Sequence, residues 1–301
     1  MSATPTGTPS ARTAVSATAG PRTNAVRQGL RRGGTELWQI VTNGQDLLGN
    51  VIWLAGMLAP LWILRDNELD PGGMSVASFI LPSVMSMSLA FHGLFSLAQQ
   101  LVVERQDGTL LRLKALPHGM LSYLVGKMLL VAGTVITACT VVTVTGVFML
   151  DEVSAADAGL WTTLAWLLPL SLLAVLPVGA VLGSLIETPR NMSLIMIPLF
   201  GLAALSGLFY PASRLPEALQ HFAEVFPLYW IGLGARSALL PDSAAAAEIG
   251  QAWRHWETVG VLGAWALVGL LAAPAVLRRT ARRESGSAVA SRRERALRNP
   301  M

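Results

Sequence analysis

The sequence predicts an all-α integral membrane protein with six transmembrane helices. Only 13% of its 301 residues are charged, about half the share found in ordinary soluble domains, whereas 52% are hydrophobic and the mean hydropathy is +0.52. Runs without Asp, Glu, Lys or Arg recur along the chain and are long enough to cross about 30 Å of hydrocarbon. Nine Trp residues supply rings that favour the membrane–water interface.

The apolar runs define the domain organisation. We expect a transmembrane domain over residues 24–280, preceded by a disordered tail at 1–23 that is rich in Ser, Thr, Ala, Gly and Pro, and followed by a basic cytoplasmic tail at 281–301. The six expected spans cover residues 47–64, 74–103, 124–150, 160–186, 191–211 and 258–277.

The segment before the first span has its own pattern. Apolar residues recur among arginines between residues 24 and 46, which predicts a helix lying along the cytoplasmic interface. The adjacent glycines Gly33 and Gly34 predict a break in this helix.

The distribution of positive charge predicts the orientation. Of the 22 Lys and Arg residues, 18 lie in the N-terminal segment, the second-to-third and fourth-to-fifth connections, and the C-terminal tail. Cytoplasmic flanks carry such an excess, so both termini are expected on the cytoplasmic side of the cytoplasmic (inner) membrane, near anionic lipids. The net charge of +4 therefore reflects topology, and no nucleic-acid partner is expected.

Several chemical functions lack their sequence signatures. The nearest approach to a phosphate-binding loop, residues 119–127, has misplaced glycines, and Met128 stands where a hydroxyl should bind Mg²⁺. The four His residues do not have the spacing of helical metal ligands, and the single Cys139 excludes an internal disulfide. We predict no catalytic residue, no metal site and no cofactor. The expected spans also carry few ionisable groups, which favours an energy source outside this chain.

Two connections carry the functional information. After the second span, Leu110, Leu113 and Leu116 share one stripe of a short surface helix, which either docks into a cytoplasmic partner or rests on lipid headgroups. After the fifth span, the uncharged run 225–235 is too short to cross a membrane. It either enters the outer leaflet and turns back or forms a plain extracellular loop. The landmark residues of this second connection are Gly207, Phe209, Pro211, Pro216, Pro227 and Arg236.

The fourth span contains one close-packing motif, Gly179-x-x-x-Gly183. A pair of small residues at this spacing permits close approach of two helices. It predicts packing within the chain, with a dimer seam as the alternative.

Three motifs together resemble one family. Residues 104–117 read E-R-x-x-G-T-L-x-x-L-x-x-x-P, residues 206–211 read S-G-L-F-Y-P, and P-L-x-x-x-x-x-x-A-R-x-x-L-L begins at Pro227. Over about residues 30–280 the chain resembles the ABC-2 family of ABC-transporter permeases, in a drug-exporter branch similar to daunorubicin-resistance permeases. The resemblance implies a coupling helix after the second span and re-entrant extracellular helices between spans five and six.

The resemblance also implies partners and a function. A separate ABC ATPase would bind ATP and Mg²⁺ and contact Glu104, Arg105, Gly108, Thr109 and Leu113, to which the leucine stripe adds Leu110 and Leu116. A second copy of the chain or a sibling permease would complete the transport path. The expected function is a permease subunit, not an enzyme, that exports a hydrophobic or amphipathic drug, secondary metabolite or lipid. The alternatives are a membrane enzyme acting on lipids and a scaffold without transport.

Overall fold

The computed structural model describes residues 21–67, 75–107, 109–114, 116, 118–150, 153–186, 188–208, 210 and 212–283. No β-strand occurs in these ranges, which confirms the all-α class. The α-helices are α1 Pro21–Thr42, α2 Gly44–Leu64, α3 Val76–Met87, α4 Gly93–Gln106, α5 Thr109–Lys114, α6 Gly119–Met149, α7 Ala158–Leu185, α8 Ser193–Leu205, α9 Glu217–Val225, α10 Pro227–Leu239 and α11 His255–Arg283. A π-helix at Ser88–His92 joins α3 to α4.

Among the described residues, four helices are long and apolar enough to cross a membrane. They are Val76–Gln106, which combines α3, the π-helix and α4, together with Gly119–Met149, Ala158–Leu185 and His255–Leu277. They coincide with the second, third, fourth and sixth expected spans. The first and fifth correspond to shorter apolar helices, Leu48–Leu64 and Pro189–Leu205. Each is about 25 Å long at about 1.5 Å per residue, somewhat less than the hydrocarbon core.

Helix α1 corrects the prediction of a break at Gly33 and Gly34, because it runs unbroken through both residues. A Cβ atom at Gly33 would lie only 2.4 Å from the carbonyl oxygen of Gly126, and one at Gly29 would lie 2.4 Å from that of Ser122. Gly29 and Gly33 therefore allow α1 to pack closely along the first half of α6. This packing offsets the low intrinsic helix propensity of glycine.

Both chain ends differ slightly from the expected boundaries. Helix α1 begins at Pro21, within the predicted disordered tail, and α11 continues to Arg283, within the predicted basic tail. Residues 1–20 and 284–301, which make up most of the two predicted tails, lie outside the described residues.

Helix α7 lies at the centre of the bundle and packs against α4, α10 and α11. Cβ atoms at Gly179 and Gly183 would come within 2.5 Å of Leu94 O and 2.7 Å of backbone atoms of Ala98 in α4. The pair therefore packs inside the chain, as predicted, because two helix backbones can approach this closely only at glycine.

Helix α10 is buried although it is short and carries an arginine. Twelve of its 13 residues are buried, and it packs against α3, α7 and α11. Helix α8 is the opposite case, since Leu194, Ile197 and Phe200 are all exposed. The tertiary structure thus places the short α10 inside the bundle and leaves one face of α8 uncovered by this chain.

Candidate functional site

An ion-pair cluster joins α1, the end of α4 and the beginning of α6. Lys127 Nζ lies 2.7 Å from Glu104 Oε1 and 2.7 Å from Glu36 Oε2. The Lys127 side chain is only 10% exposed, and removing its ammonium group from water is costly. The two carboxylates offset this cost. Glu104, predicted to contact an ATPase, therefore has an internal partner as well.

Glu36 is held by two cations. Arg32 Nε donates to Glu36 Oε1 at 2.8 Å, and the Arg32 guanidinium lies 5.9 Å from the centre of the Tyr123 ring. Burial raises the pKa of Glu36, but the hydrogen bonds from Lys127 and Arg32 outweigh burial and hold this pKa below its ordinary value. The carboxylate is consequently ionised at neutral pH.

The sequence interpretation missed the roles of Glu36 and Lys127. A signal was available, because Lys127 stands beside a long apolar run in the third span. A lysine that becomes buried there requires an acidic partner. The identity of that partner depended on how α1 packs, which the sequence pattern did not reveal.

Arg105 connects the end of α4 to the end of α7. Its Nη1 donates to the carbonyl oxygens of Ser184 at 3.1 Å and Ile186 at 3.3 Å, and its side chain is buried. The last carbonyls of a helix have no partner within the helix and attract a cation. Arg105 therefore holds the segment that follows α4 in a defined position relative to the bundle.

Helix α5 packs against α4, α6 and α11. The described leucines of the predicted stripe do not share one environment. Leu113 is only 9% exposed, whereas Leu116 is 59% exposed. A Cβ atom at Gly119 would lie 2.3 Å from the Leu113 carbonyl oxygen, so the close packing of this turn depends on that glycine. Thr109 is partly exposed, and Gly108 and the Leu110 side chain lie outside the described residues. Of the described leucines in the stripe, Leu116 is the one available to a partner.

The connection after α8 contains a buried ion pair. Arg236 Nε lies 2.5 Å from Glu248 Oε1, and Nη2 lies 3.1 Å from Oε2, with the two side chains only 3% and 5% exposed. Arg236 Nη1 also donates to the Gly207 carbonyl oxygen at 3.2 Å. Gly207 has a φ of +71°, a left-handed conformation that glycine adopts without strain. The structure thus brings together two predicted landmarks, Gly207 and Arg236, around an acid that was not predicted.

The predicted prolines of this connection mark helix starts. Pro216 precedes α9, and Pro227 is the first residue of α10, a position where the missing N–H costs nothing. The predicted residues Phe209 and Pro211 lie outside the described residues.

A second polar cluster attaches α9 to α10 and α11. Arg254 forms ion pairs with Glu224 and Glu257, and its guanidinium lies 4.8 Å from the centre of the Trp230 ring. Trp265 Nε1 donates to the Val225 carbonyl oxygen at 2.8 Å, which satisfies a carbonyl at the end of α9. These contacts hold the junction between α9 and α10 against the bundle.

An apolar cavity of about 480 Å³ lies beneath this junction. It is bounded by α4, α7, α8 and α11, and Phe226, Pro227 and Leu228 of the junction line it together with Leu94 and Val175. Leu94 lies near the middle of the long helix Val76–Gln106. The junction between α9 and α10 therefore lines the same cavity as Leu94 and Val175.

The long apolar helices define a multi-pass membrane protein. Residues 62–274, from α2 to α11, match the family model described as ABC-2 family transporter protein. Because the match covers more than half of the chain, the chain belongs to the ABC-2 family of transporter membrane proteins. A comparison with curated proteins found no match. The matched range contains both connections singled out from the sequence, whereas α1 lies before it.

No group of three or more His, Cys, Asp or Glu side chains that could hold a metal ion occurs in the part of the chain that the structure describes. The chemistry of the described clusters is that of internal ion pairs, which position helices relative to one another.

Proposed function

We propose that this chain is the permease subunit of an ATP-driven exporter of a hydrophobic or amphipathic compound, similar to the daunorubicin-resistance-type permeases. The observation that carries the proposal is the family match over residues 62–274, because it includes residues 104–117, the segment predicted to couple to an ATPase, and the connection between α8 and α11. ABC-2 membrane subunits work with an ABC ATPase. That partner would bind ATP and Mg²⁺, and no cofactor would be bound by this chain.

The packing around α5 supports a coupling role. Arg105 attaches the end of α4 to α7, and Glu104 attaches it through Lys127 to α6 and α1. A displacement of α5 would therefore be transmitted to α7, α6 and α1 through these polar contacts. Leu116, exposed just after α5, is the side chain that would enter a groove on the ATPase.

The burial of α10 supports a re-entrant connection. Helices α9 and α10 would enter the membrane from the extracellular side, turn at Phe226 and Pro227, and return. The charged side chain of α10 is covered by protein, because Arg236 is buried and paired to Glu248, as a polar group at membrane depth requires. Including α2 and α8, this arrangement would have six spans and both termini in the cytoplasm.

The exposed face of α8 supports assembly with a second permease. Leu194, Ile197 and Phe200 are exposed. By resemblance to the family, six spans would supply half of a transport path. A second copy of this chain or a sibling permease would complete the path, with lipid covering the remaining apolar surface.

Copurification tests the proposed function. The tagged chain is coexpressed with the ABC ATPase encoded nearest to it and purified in mild detergent. We expect the ATPase to copurify and to hydrolyse ATP, whereas the chain purified alone has no turnover above background. A chain that hydrolyses ATP by itself, or that binds no ATPase while remaining monodisperse, would contradict the proposal.

A further inference from the structure

A π-helix lies near the middle of the long helix Val76–Gln106. The five residues Ser88–His92 form it, and π-helical turns within α-helices are frequent at functional sites. At about 1.5 Å per residue, His92 lies about 18 Å along the helix from Glu104. That distance places it near the centre of a hydrocarbon core about 30 Å thick. An imidazole at this depth is costly unless it has a polar contact to make.

His92 is one of the residues that line a groove of about 270 Å³ between the C-terminal end of α1, the beginning of α2 and the middle of α6. The groove walls are mostly apolar, with Leu54 and Val141 among them. The Trp53 ring centre lies 6.3 Å from that of His92, tilted by 34°. Ligand sites commonly combine such walls with a small number of polar groups.

The polar groups of the groove have unused hydrogen-bonding capacity. The hydroxyls of Thr134 and Thr137 donate to carbonyls of their own helix at 2.9 and 2.8 Å, so their oxygens remain available as acceptors. Within the described ranges, the His92 ring makes no hydrogen bond to the protein. A neutral imidazole offers one donor and one acceptor, and Asn50 adds an amide at the same groove.

We propose that this groove binds amphipathic cargo, with an apolar or aromatic body beside Trp53 and Val141 and one hydroxyl or other donor group that hydrogen-bonds to the acceptor nitrogen of His92. A phospholipid headgroup does not reach the depth of His92, and an acyl chain offers His92 no polar atom. As a cargo site the groove rests on the permease function proposed above, but ligand binding there requires neither an ATPase nor transport.

Photolabelling with a matched pair of probes tests the site. The full-length chain in lipid nanodiscs is irradiated with 4-hydroxybenzophenone or with benzophenone, which lacks the hydroxyl group, and labelled peptides are identified by mass spectrometry. We expect the hydroxylated probe to label the groove peptides of α2 and α6 about fivefold more than benzophenone does, the effect of one hydrogen bond. His92→Phe should abolish this excess. His255→Phe, which changes a histidine beside Trp166 that does not line the groove, should retain it.

The outcomes separate this proposal from its rivals. Equal labelling by both probes in the wild-type chain overturns it, even if His92→Phe fails to fold, and so does an excess that persists in a folded His92→Phe variant. Disulfide formation between two copies carrying Trp53→Cys in a Cys139→Ser background, without groove labelling, would assign the groove to a second copy and also overturn it. Loss of ATPase copurification with intact labelling would instead refute the permease function and leave the site standing.

Discussion

The ammonium of Lys127 and the carboxylate of Glu104 lie 2.7 Å apart and connect the long helix Val76–Gln106 to the long helix Gly119–Met149. Glu104 is the first residue of the motif by which the chain resembles its family, and the residue after it, Arg105, bonds to the end of α7. Glu104 and Arg105, at the beginning of the segment for which we propose a coupling role, are thereby attached to α6 and α7.

Lys127→Met should destabilise the chain because Glu36 and Glu104 would remain partly buried without their shared cation. We expect a loss of about 2 kcal/mol in the free energy of unfolding, measured in detergent micelles. Combining it with Glu104→Gln should cost less than the sum of the two single changes, since the residual charge is reduced. Arg112→Ala, at an exposed position of α5, is the control and should have little effect. Strict additivity would show that the pair is not coupled.

Leu113 and Leu116 should respond differently to substitution. Leu113→Ala removes buried side-chain atoms and should lower the stability of the chain itself by about 2 kcal/mol. Leu116→Asp changes an exposed side chain, so it should leave stability intact and weaken ATPase binding about tenfold. Thermal unfolding of the chain alone and titration with the purified ATPase measure the two effects. Unchanged ATPase affinity in Leu116→Asp would remove this residue from the interface.

The Arg236 and Glu248 pair should be required for the structure of the connection between α8 and α11. Arg236→Met leaves a carboxylate that is only 5% exposed without a cation, which should cost about 3 kcal/mol of stability. The double change with Glu248→Met should recover much of that loss. Arg214→Met, at an exposed position of the same connection, is the matched control for lost charge. Equal stability of the Arg236 and Arg214 variants by thermal unfolding would contradict the predicted role.

Thiol labelling checks the orientation. In a Cys139→Ser background, single cysteines replace Asn67, Ala155, Ser243 or Ser287, and intact cells are treated with a membrane-impermeant reagent. The first three positions should react because they precede or follow spans on the extracellular side, and Ser287→Cys in the C-terminal tail should not. Reaction at position 287 in intact cells would reverse the orientation.

Sequence patterns identified the features that depend on local composition. Four of the expected spans are long apolar helices, because the length of an uncharged run already determines whether a helix can cross hydrocarbon. The glycine pair Gly179 and Gly183 was expected to pack inside the chain, and it contacts α4. The prediction of a helix break at Gly33 was wrong. Glycine lowers helix propensity, but the close packing that it permits with a neighbouring helix can contribute more stability than is lost.

The sequence by itself determined that this is a multi-pass helical membrane protein with the motifs of an ABC-2 permease, because both follow from composition and from residues close together in the chain. Tertiary structure decided which charges meet: Glu36 with Lys127 across 91 positions, and Arg105 with Ser184 across 79. It also decided that Leu113 is buried while Leu116 is exposed. The physical reason is that a buried charge pairs with whichever groups the packing of the helices brings near it. The number of residues between two groups along the chain does not reveal how close they are in the folded structure.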